Sequence, residues 1–265
     1  MTQGGRRVGL AGDWHGASSW AATAIARVAA AGIDRLYHVG DFGVWPGDGG
    51  RAYRDAVSNA LVEHGVELWV TPGNHEDWDQ VDALFEQYGD APAPYAPGIW
   101  LLPRGYRWTE GGRSFVSLGG APTLSFESRT VGVDFWPNEE LTDEHVDHAI
   151  AGGHAEVMIT HDAPEGATKE VADTIATNPF GFSGRAREYA RVGRERMTRA
   201  FHGIRPRFLA HGHYHVTAEL EQEYRTGTPE AFTCRVIALD REARPGNLRV
   251  LDLDTLTAAE LPEAE

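Results

Sequence analysis

Lysine, cysteine and net positive charge are what this chain has little of: one lysine, Lys169, and one cysteine, Cys234, in 265 residues. A lone cysteine cannot close an intramolecular disulfide, so no covalent staple holds the fold, and a reducing compartment suits it. Cys234 stands in an apolar stretch, where it reads as a small filler of a strand. Long apolar runs are missing too. None approaches the roughly 18 residues of a membrane helix, and the run after Arg6 and Arg7 is too short for a signal-peptide core. The expected location is the cytoplasm, with no membrane partner. Acidic residues outnumber basic ones by 39 to 24, for a net charge of -15 and a pI near 5.2. Such a surface repels the phosphate backbone of long nucleic acids, so no stable nucleic-acid partner is expected. Small anionic substrates are not excluded, because exposed charges are screened over about 8 Å and a bound cation dominates its own pocket. With so little lysine, arginine supplies nearly all the cations; this is a composition bias, but arginine is also the better bidentate partner for phosphate.

What the chain does have is an alternation of short apolar runs with helical patterns, as in βα units. Strands are expected at residues 7–11, 35–39 and 67–70, and helices at 18–31 with a serine cap, 49–64 and 77–88. A proline- and alanine-rich stretch at 91–98 precedes meander-like strands at 99–102, 106–109 and 114–118, then an aromatic, glycine-containing loop at 119–138. A helix at 141–150 and a buried strand at 156–160 follow. Residues 165–184 show no clear period, whereas Ala186, Tyr189, Gly193, Met197 and Phe201 recur at helical spacing, with Arg187, Arg191 and Arg194 on the other face. Strands at 208–210, 217–224, 232–239 and 248–253 close the chain before a polar acidic tail. No repeat or low-complexity linker divides it. One domain over residues 1–265 is expected, with residues 165–205 as a helical lid insertion; composition does not specify the oligomeric state.

Several strands run straight into clusters of ligand-type residues. Asp13-x-His15 follows the first strand, Gly40-Asp41 the second and Gly73-Asn74-His75-Glu76 the third, while His161 and Gly212-His213-x-His215 follow two later ones. Residues two apart at a strand exit point the same way, so Asp13 and His15 make a pincer for one ion. In open α/β sheets ligands gather beyond the carboxyl ends of the strands, so clusters at successive exits converge on one crevice. Five blocks in this order, spanning residues 13–215, resemble the calcineurin-like metallophosphoesterase superfamily.

That resemblance implies an α/β fold, a four-layer αββα sandwich with two central mixed β-sheets, and a dinuclear metal-dependent hydrolase that cleaves a phosphate mono- or diester with a metal-bridging hydroxide. It places Asp13, His15, Asp41 and His215 on one ion, and Asp41, Asn74, His161 and His213 on the other. The two oxygens of Asp41 suit it to bridge, and the nitrogen and oxygen donors suit Mn²⁺, Fe or Zn²⁺. Two divalent cations against Asp13 and Asp41 leave the centre positive, so a small phosphate ester is the expected partner, and the neutral amide of Asn74 preserves that charge. His75 matches the family's catalytic histidine, the acid that protonates the leaving group. Asn74, His75, Arg129 and Arg185 are candidate substrate contacts, with Arg187 and Arg191 as further possible clamps. His38 and His211 flank ligand positions and are candidates for supporting them; Trp14 and Tyr214 are expected to pack. The Gly-Asp block lacks the Asp-Arg-Gly run of eukaryotic-type Ser/Thr protein phosphatases, so a phosphoprotein substrate does not carry over directly from those enzymes. An inactive binding or scaffolding member of the same fold is the alternative reading, but such loss would empty a ligand position or His75, and all are filled. A mononuclear hydrolase of amide or ester bonds has no use for two ligand sets sharing one carboxylate.

Overall fold

Strands apolar at every position need cover on both faces, and the inner strands here are used in that way. The computed structural model describes residues 6–261. The first half contains β1 (Arg7–Ala11), α1 (Ser18–Ala30), β2 (Arg35–His38), α2 (Gly47–His64), β3 (Glu67–Val70), α3 (Trp78–Tyr88), β4 (Ala93–Ala96), β5 (Ile99–Leu101), β6 (Arg107–Glu110) and β7 (Arg113–Leu118). The second contains α4 (Asp143–Ala151), β8 (Val157–Thr160), α5 (Lys169–Thr177), α6 (Gly184–Ile204), β9 (Phe208–His211), β10 (Ala218–Tyr224), β11 (Phe232–Ala238), β12 (Leu248–Asp252) and β13 (Thr257–Glu260). They build two mixed sheets, ordered β13-β12-β1-β2-β3-β5-β4 and β10-β11-β9-β8-β7-β6.

Alternation along each strand sorts the layers. Val8, Leu10, Tyr37 and Val39 of the first sheet meet Phe115, Ile159, Phe208 and Ile237 of the second in an inner core. On the outer face of the first sheet, Leu36, Leu68 and Val70 take Ile25 and Val28 of α1, Leu61 of α2 and Trp78 of α3. On the outer face of the second, Met158, Leu209 and Val236 take Val146 of α4, Val171 of α5 and Met197 and Phe201 of α6. The result is the expected four-layer αββα sandwich.

Local expectations fail at three kinds of place. The cap of α1 is Ala17, which makes no side-chain hydrogen bond, and Ser18 is already helical; a turn in which the Ala17 N–H donates to the Trp14 carbonyl at 2.8 Å sets the start one residue early. Residues 165–184 contain α5, whose apolar face is only Val171, buried, and Ile175 one turn on, partly buried, too short to stand out as a period; Thr168 caps its start, its hydroxyl accepting from the Val171 N–H, and Asn178 in the left-handed conformation ends it. The proline-rich stretch and the acidic tail contribute β4 and β13, each at a sheet edge. An edge strand tolerates Pro94 because one side of it needs no ladder partner, and β13 is held by backbone pairing to β12 rather than by burial.

Asn247 ties the loop after β1 to the far end of the chain. It is fully buried. Its Oδ1 accepts from the indole N–H groups of Trp14 (3.2 Å) and Trp20 (2.6 Å), and its Nδ2 donates to the carbonyls of Gly12 and Asp240 at 2.5 and 2.6 Å. Trp14 therefore packs, as expected. A buried polar group stranded without a partner costs about 1–3 kcal/mol, and Asn247→Leu strands several, so a loss of about 3–5 kcal/mol is expected. Urea unfolding should show it as a lower midpoint at unchanged slope; a change under about 1 kcal/mol would mean that water replaces the asparagine without loss.

Candidate metal centre

β1, β2 and β3 run parallel in the first sheet, and β7, β8 and β9 in the second. The clusters after β1, β2, β3, β8 and β9 consequently meet at one end of the sandwich. Ten non-glycine residues among those described have positive φ, and five belong here: Asp13 (51°), His15 (44°), Asp41 (52°), His213 (69°) and His215 (52°). Such residues cost about 1–3 kcal/mol each and persist only where the surroundings fix them. Asp13 N–H donates to the Gly40 carbonyl (2.8 Å) and His15 N–H to that of Asp41 (2.9 Å). The buried Glu76 carboxylate accepts from the N–H groups of Phe42, Gly43, Val44 and Gly73, locking the loop after Asp41 to the loop carrying Asn74. Glu76 thus positions backbone, and Asp77 caps α3, accepting from the Gln80 N–H. Two motif glycines have a steric reason: a Cβ on Gly73 would lie 2.3 Å from Asp41 Oδ1, and one on Gly212 would lie 2.0 Å from Asp13 Oδ2.

The side chains form two groups that share Asp41. In one, Asp13, His15, Asp41 and His215 each offer a ligand atom within 4.8 Å of the others; His15 Nε2 is 3.3 Å from Asp41 Oδ2, and His215 Nε2 is 3.3 Å from Asp13 Oδ1. In the other, His161 Nε2 lies 3.2 Å from Asp41 Oδ1 and 2.9 Å from Asn74 Oδ1. The His213 ring stands edge-on to His161, centroids 5.0 Å apart. All seven side chains come together, and they fit divalent cations: buried and half-buried nitrogen and oxygen donors converge, with no thiolate. Burial would lower the His15 imidazole, but Asp41, Asp13 and Glu242 outweigh it and hold it up at about 10. His161 is likewise depressed by burial and lifted by Asp41 and Asp13 to about 9. Burial would raise Asp41, yet His161, His75 and His15 keep its carboxyl well below the usual range. These shifts register a compact set of opposite charges around the Asp41 carboxylate.

Partners outside the two groups aim the ligands. His15 Nδ1 faces two acceptors, Glu242 Oε2 at 3.0 Å and the Asp13 carbonyl at 2.9 Å, which leaves Nε2 for the centre. His161 Nδ1 donates to the Val39 carbonyl at 2.8 Å, with the same effect. Asn74 Nδ2 donates to Thr123 Oγ1 (2.8 Å), which donates to Glu139 Oε2 (2.7 Å), so the amide oxygen of Asn74 is turned inward. Sequence reading misses Thr123, Glu139 and Glu242, since none has a recognisable spacing from a ligand. His38 and His211 hold backbone rather than ligands: His38 Nδ1 accepts from the Gly40 N–H at 3.3 Å, and His211 Nδ1 lies 3.0 Å from the Gly212 carbonyl.

Glu139 also yields a pH test. Burial, opposed by its bonds from Thr123, pushes its carboxyl up to about 8 from 4.5. A folded pKa above the unfolded one means that the folded state holds the extra proton, so the contribution to stability is complete below about 4.5 and lost as pH rises through about 8. Thermal melts of the metal-free protein should therefore fall more steeply between these values than melts of Glu139→Gln. Parallel curves would mean that Glu139 is ionised throughout.

A cavity of about 530 Å³ opens over the centre, with Asp41, Asn74, His75, His213 and His215 on its wall. The His75 N–H donates to Asp41 Oδ1 at 2.9 Å and its carbonyl accepts from the Trp45 indole at 2.7 Å, so its backbone is fixed from both sides. Burial pushes its imidazole below the ordinary value, against the pull of Asp41. Arg129 and Arg185 do not line the cavity. Arg129 donates to Ser125 Oγ and the Asp134 carbonyl, and Arg185 lies over the Phe126 ring. The arginines on the wall are Arg187, Arg191 and Arg194. Tyr214, expected to pack, also lines the wall and donates its hydroxyl to Asp162 Oδ1 at 2.7 Å.

Residues 6–217 match the family described as calcineurin-like phosphoesterase. No curated protein matched the sequence. Among solved structures, the fold is similar to that of TT1561 of Thermus thermophilus, at 10% identity with a TM-score of 0.55, covering 97% of this chain and 98% of that one. It is also similar to a dimetal phosphatase from Danio rerio, at 11% identity with a TM-score of 0.55, covering 93% and 92%.

Proposed function

The chain belongs to the calcineurin-like phosphoesterase family, and on that premise we propose that it hydrolyses a phosphate mono- or diester at the centre built around Asp41. The observation that carries this reading is the placement of the Asp41 oxygens, Oδ1 toward His161 and Oδ2 toward His15, so that one carboxylate is shared by two ligand groups. The family works with a dinuclear divalent centre, and the donor types here suit Mn, Fe or Zn. When bound, such a pair polarises the phosphoryl group and makes water acidic enough to attack it near neutral pH.

The chain's own residues do the rest. Asp13, His15 and His215 would hold one ion together with Asp41, and Asn74, His161 and His213 would hold the other with the same Asp41. Glu242 and the Thr123–Glu139 pair keep the His15 and Asn74 donors aimed inward, which removes reorganisation from the reaction. His75, on the cavity wall beside Asn74, gives a proton to the departing oxygen. Residues 165–205, which supply α5 and α6, act as a lid that walls the cavity on the side away from the first sheet's helices. The reading is tested with protein loaded with Mn²⁺ and assayed on p-nitrophenyl phosphate and bis-p-nitrophenyl phosphate. Turnover of at least one is expected, and the ratio assigns mono- or diester preference. Bound metal with turnover of neither rejects the assignment.

A further inference from the structure

The cavity is larger than a phosphoryl group needs, and its lining is predominantly apolar, with Leu124, Ile175, Pro179, Phe180 and Phe182 interleaved with the charged side chains of α6. The arginines that share this wall are largely matched: Arg191 pairs with Glu188 at 2.6 Å and also with Glu195, and Arg194 lies beside Asp162 and the Tyr214 hydroxyl. Arg187 makes no ion pair among the described residues, and it is solvent-exposed.

The aromatic part of the wall is held in place. Asn178, left-handed at φ 45°, ends α5 and brackets Phe182: its Oδ1 accepts from the Phe182 N–H at 2.9 Å and its Nδ2 donates to the Phe182 carbonyl at 3.0 Å. Gly181 makes the turn at φ 69°, and its N–H donates to the Asn178 carbonyl at 3.0 Å. Ser183 then caps α6, accepting from the Ala186 N–H. A segment this well bonded has few conformations, yet it leaves the Phe180 side chain 72% exposed, 5.8 Å by ring centroid from Phe182. Phe180 does not stand alone: with Ile175, Pro179 and Phe182 it forms a contiguous apolar patch on the cavity wall, the arrangement that suits a ligand contact.

We infer that the organic group of the substrate is bulky and apolar, aryl or similar in shape, and that it lodges against Ile175, Phe180 and Phe182 while its phosphate faces Asp41. This inference rests on the phosphoesterase reading above and narrows its substrate class. Enclosing an added aromatic ring on such a wall is worth roughly 10- to 100-fold in affinity. The test uses phosphonates, whose P–C bond is not hydrolysed, so binding is read without turnover. Calorimetric affinities of Mn²⁺-loaded protein for methylphosphonate, benzylphosphonate and 1-naphthylmethylphosphonate should rise along the series by at least about 10-fold overall. Phe180→Ser, at an exposed position that leaves the core intact, and Phe182→Ala, checked for an unchanged melting temperature, should each reduce that ratio at least about threefold. Affinities equal across the series, absent binding, or a ratio unaltered in both variants overturns the inference. Turnover of phenyl and 2-naphthyl phosphate on the same preparation separates the two proposals: graded binding without hydrolysis of either supports the apolar site and rejects the esterase, whereas hydrolysis with flat phosphonate affinities does the reverse.

Discussion

Asp41→Asn is expected to lower kcat/KM on any phosphate ester about 1,000- to 10,000-fold and to cost the protein about one of its two metal equivalents. The carboxylate presents Oδ2 to His15 at 3.3 Å and Oδ1 to His161 at 3.2 Å. An amide keeps one of these oxygens and puts a donor NH₂ where the other was, so one ligand group loses its only contact with the shared anion. Electrostatic stabilisation by a metal pair is worth several kcal/mol, and a loss of about 4–6 kcal/mol is about the stated factor. Misfolding is the competing explanation for a dead variant, and the backbone argues against it. Asp41 sits at φ 52°, a left-handed conformation that asparagine tolerates as well as aspartate does. The loop is also held by Glu76 through the N–H groups of Phe42, Gly43 and Val44, none of which the substitution touches. Metal content by elemental analysis, far-ultraviolet circular dichroism and kcat/KM together decide the matter. A folded variant that holds two equivalents and works within tenfold of the parent would remove Asp41 from the bridging role.

That aspartate was legible in the sequence, and so was its whole circle of ligand-type residues, because the chemistry admits few residue types and the fold delivers them at strand ends. The glycines beside them are equally forced, since Gly73 and Gly212 pack directly onto the carboxylates of Asp41 and Asp13. The inner strands were legible for a related reason: Val8 to Ala11 and Val157 to Thr160 are buried on both faces and leave a continuous apolar run. What the sequence did not disclose are single residues whose meaning depends on distant partners. Glu242 reaches His15 across 227 residues, and Glu139 acts on Asn74 only through Thr123. Arg194 was readable in part. It belongs to the buried stripe Ala186, Ala190, Gly193 and Met197 of α6, and grouping it with the arginines of the opposite face ignored that spacing. β13 carries little apolar signal beyond the partly buried Ala258, and its ladder with β12 makes it a strand.

The five left-handed candidate ligands bear on how the centre is kept in shape. Asp13, His15, Asp41, His213 and His215 adopt a conformation that the free chain avoids, at about 1–3 kcal/mol each, so they do not relax into it by their own preference. The framework that imposes it is laid down by the inner core and by Glu76 and Asn247, which bond backbone rather than ligands. The geometry of these candidate ligands is thereby set by the protein framework itself. The same framework fixes the His75 backbone from two sides while leaving its ring on the cavity wall, without a hydrogen-bond partner among the described residues.

A ring that packs edge-on against His15 but has no hydrogen-bond partner among the described residues suits a proton donor, and the prediction for His75→Ala follows from what a donor does. With p-nitrophenyl phosphate the leaving group departs as an anion without help, so the variant should retain activity within about threefold, whereas general-acid assistance is worth about 100- to 10,000-fold where the leaving oxygen needs a proton. Alkyl phosphates should therefore lose about 100-fold or more in kcat/KM. The pH profile supplies a second readout. Burial lowers the His75 imidazole from its usual 6.5, and divalent cations bound beside it would push the same way. Only the protonated ring donates, so alkyl phosphate turnover should decline as pH rises, with the midpoint of the decline below 6.5. In His75→Ala that limb should vanish for alkyl esters, and for p-nitrophenyl phosphate it should be absent in parent and variant alike. A loss of equal size for both leaving groups, with the limb retained, would make His75 a residue that positions the phosphate and would move the proton to another group.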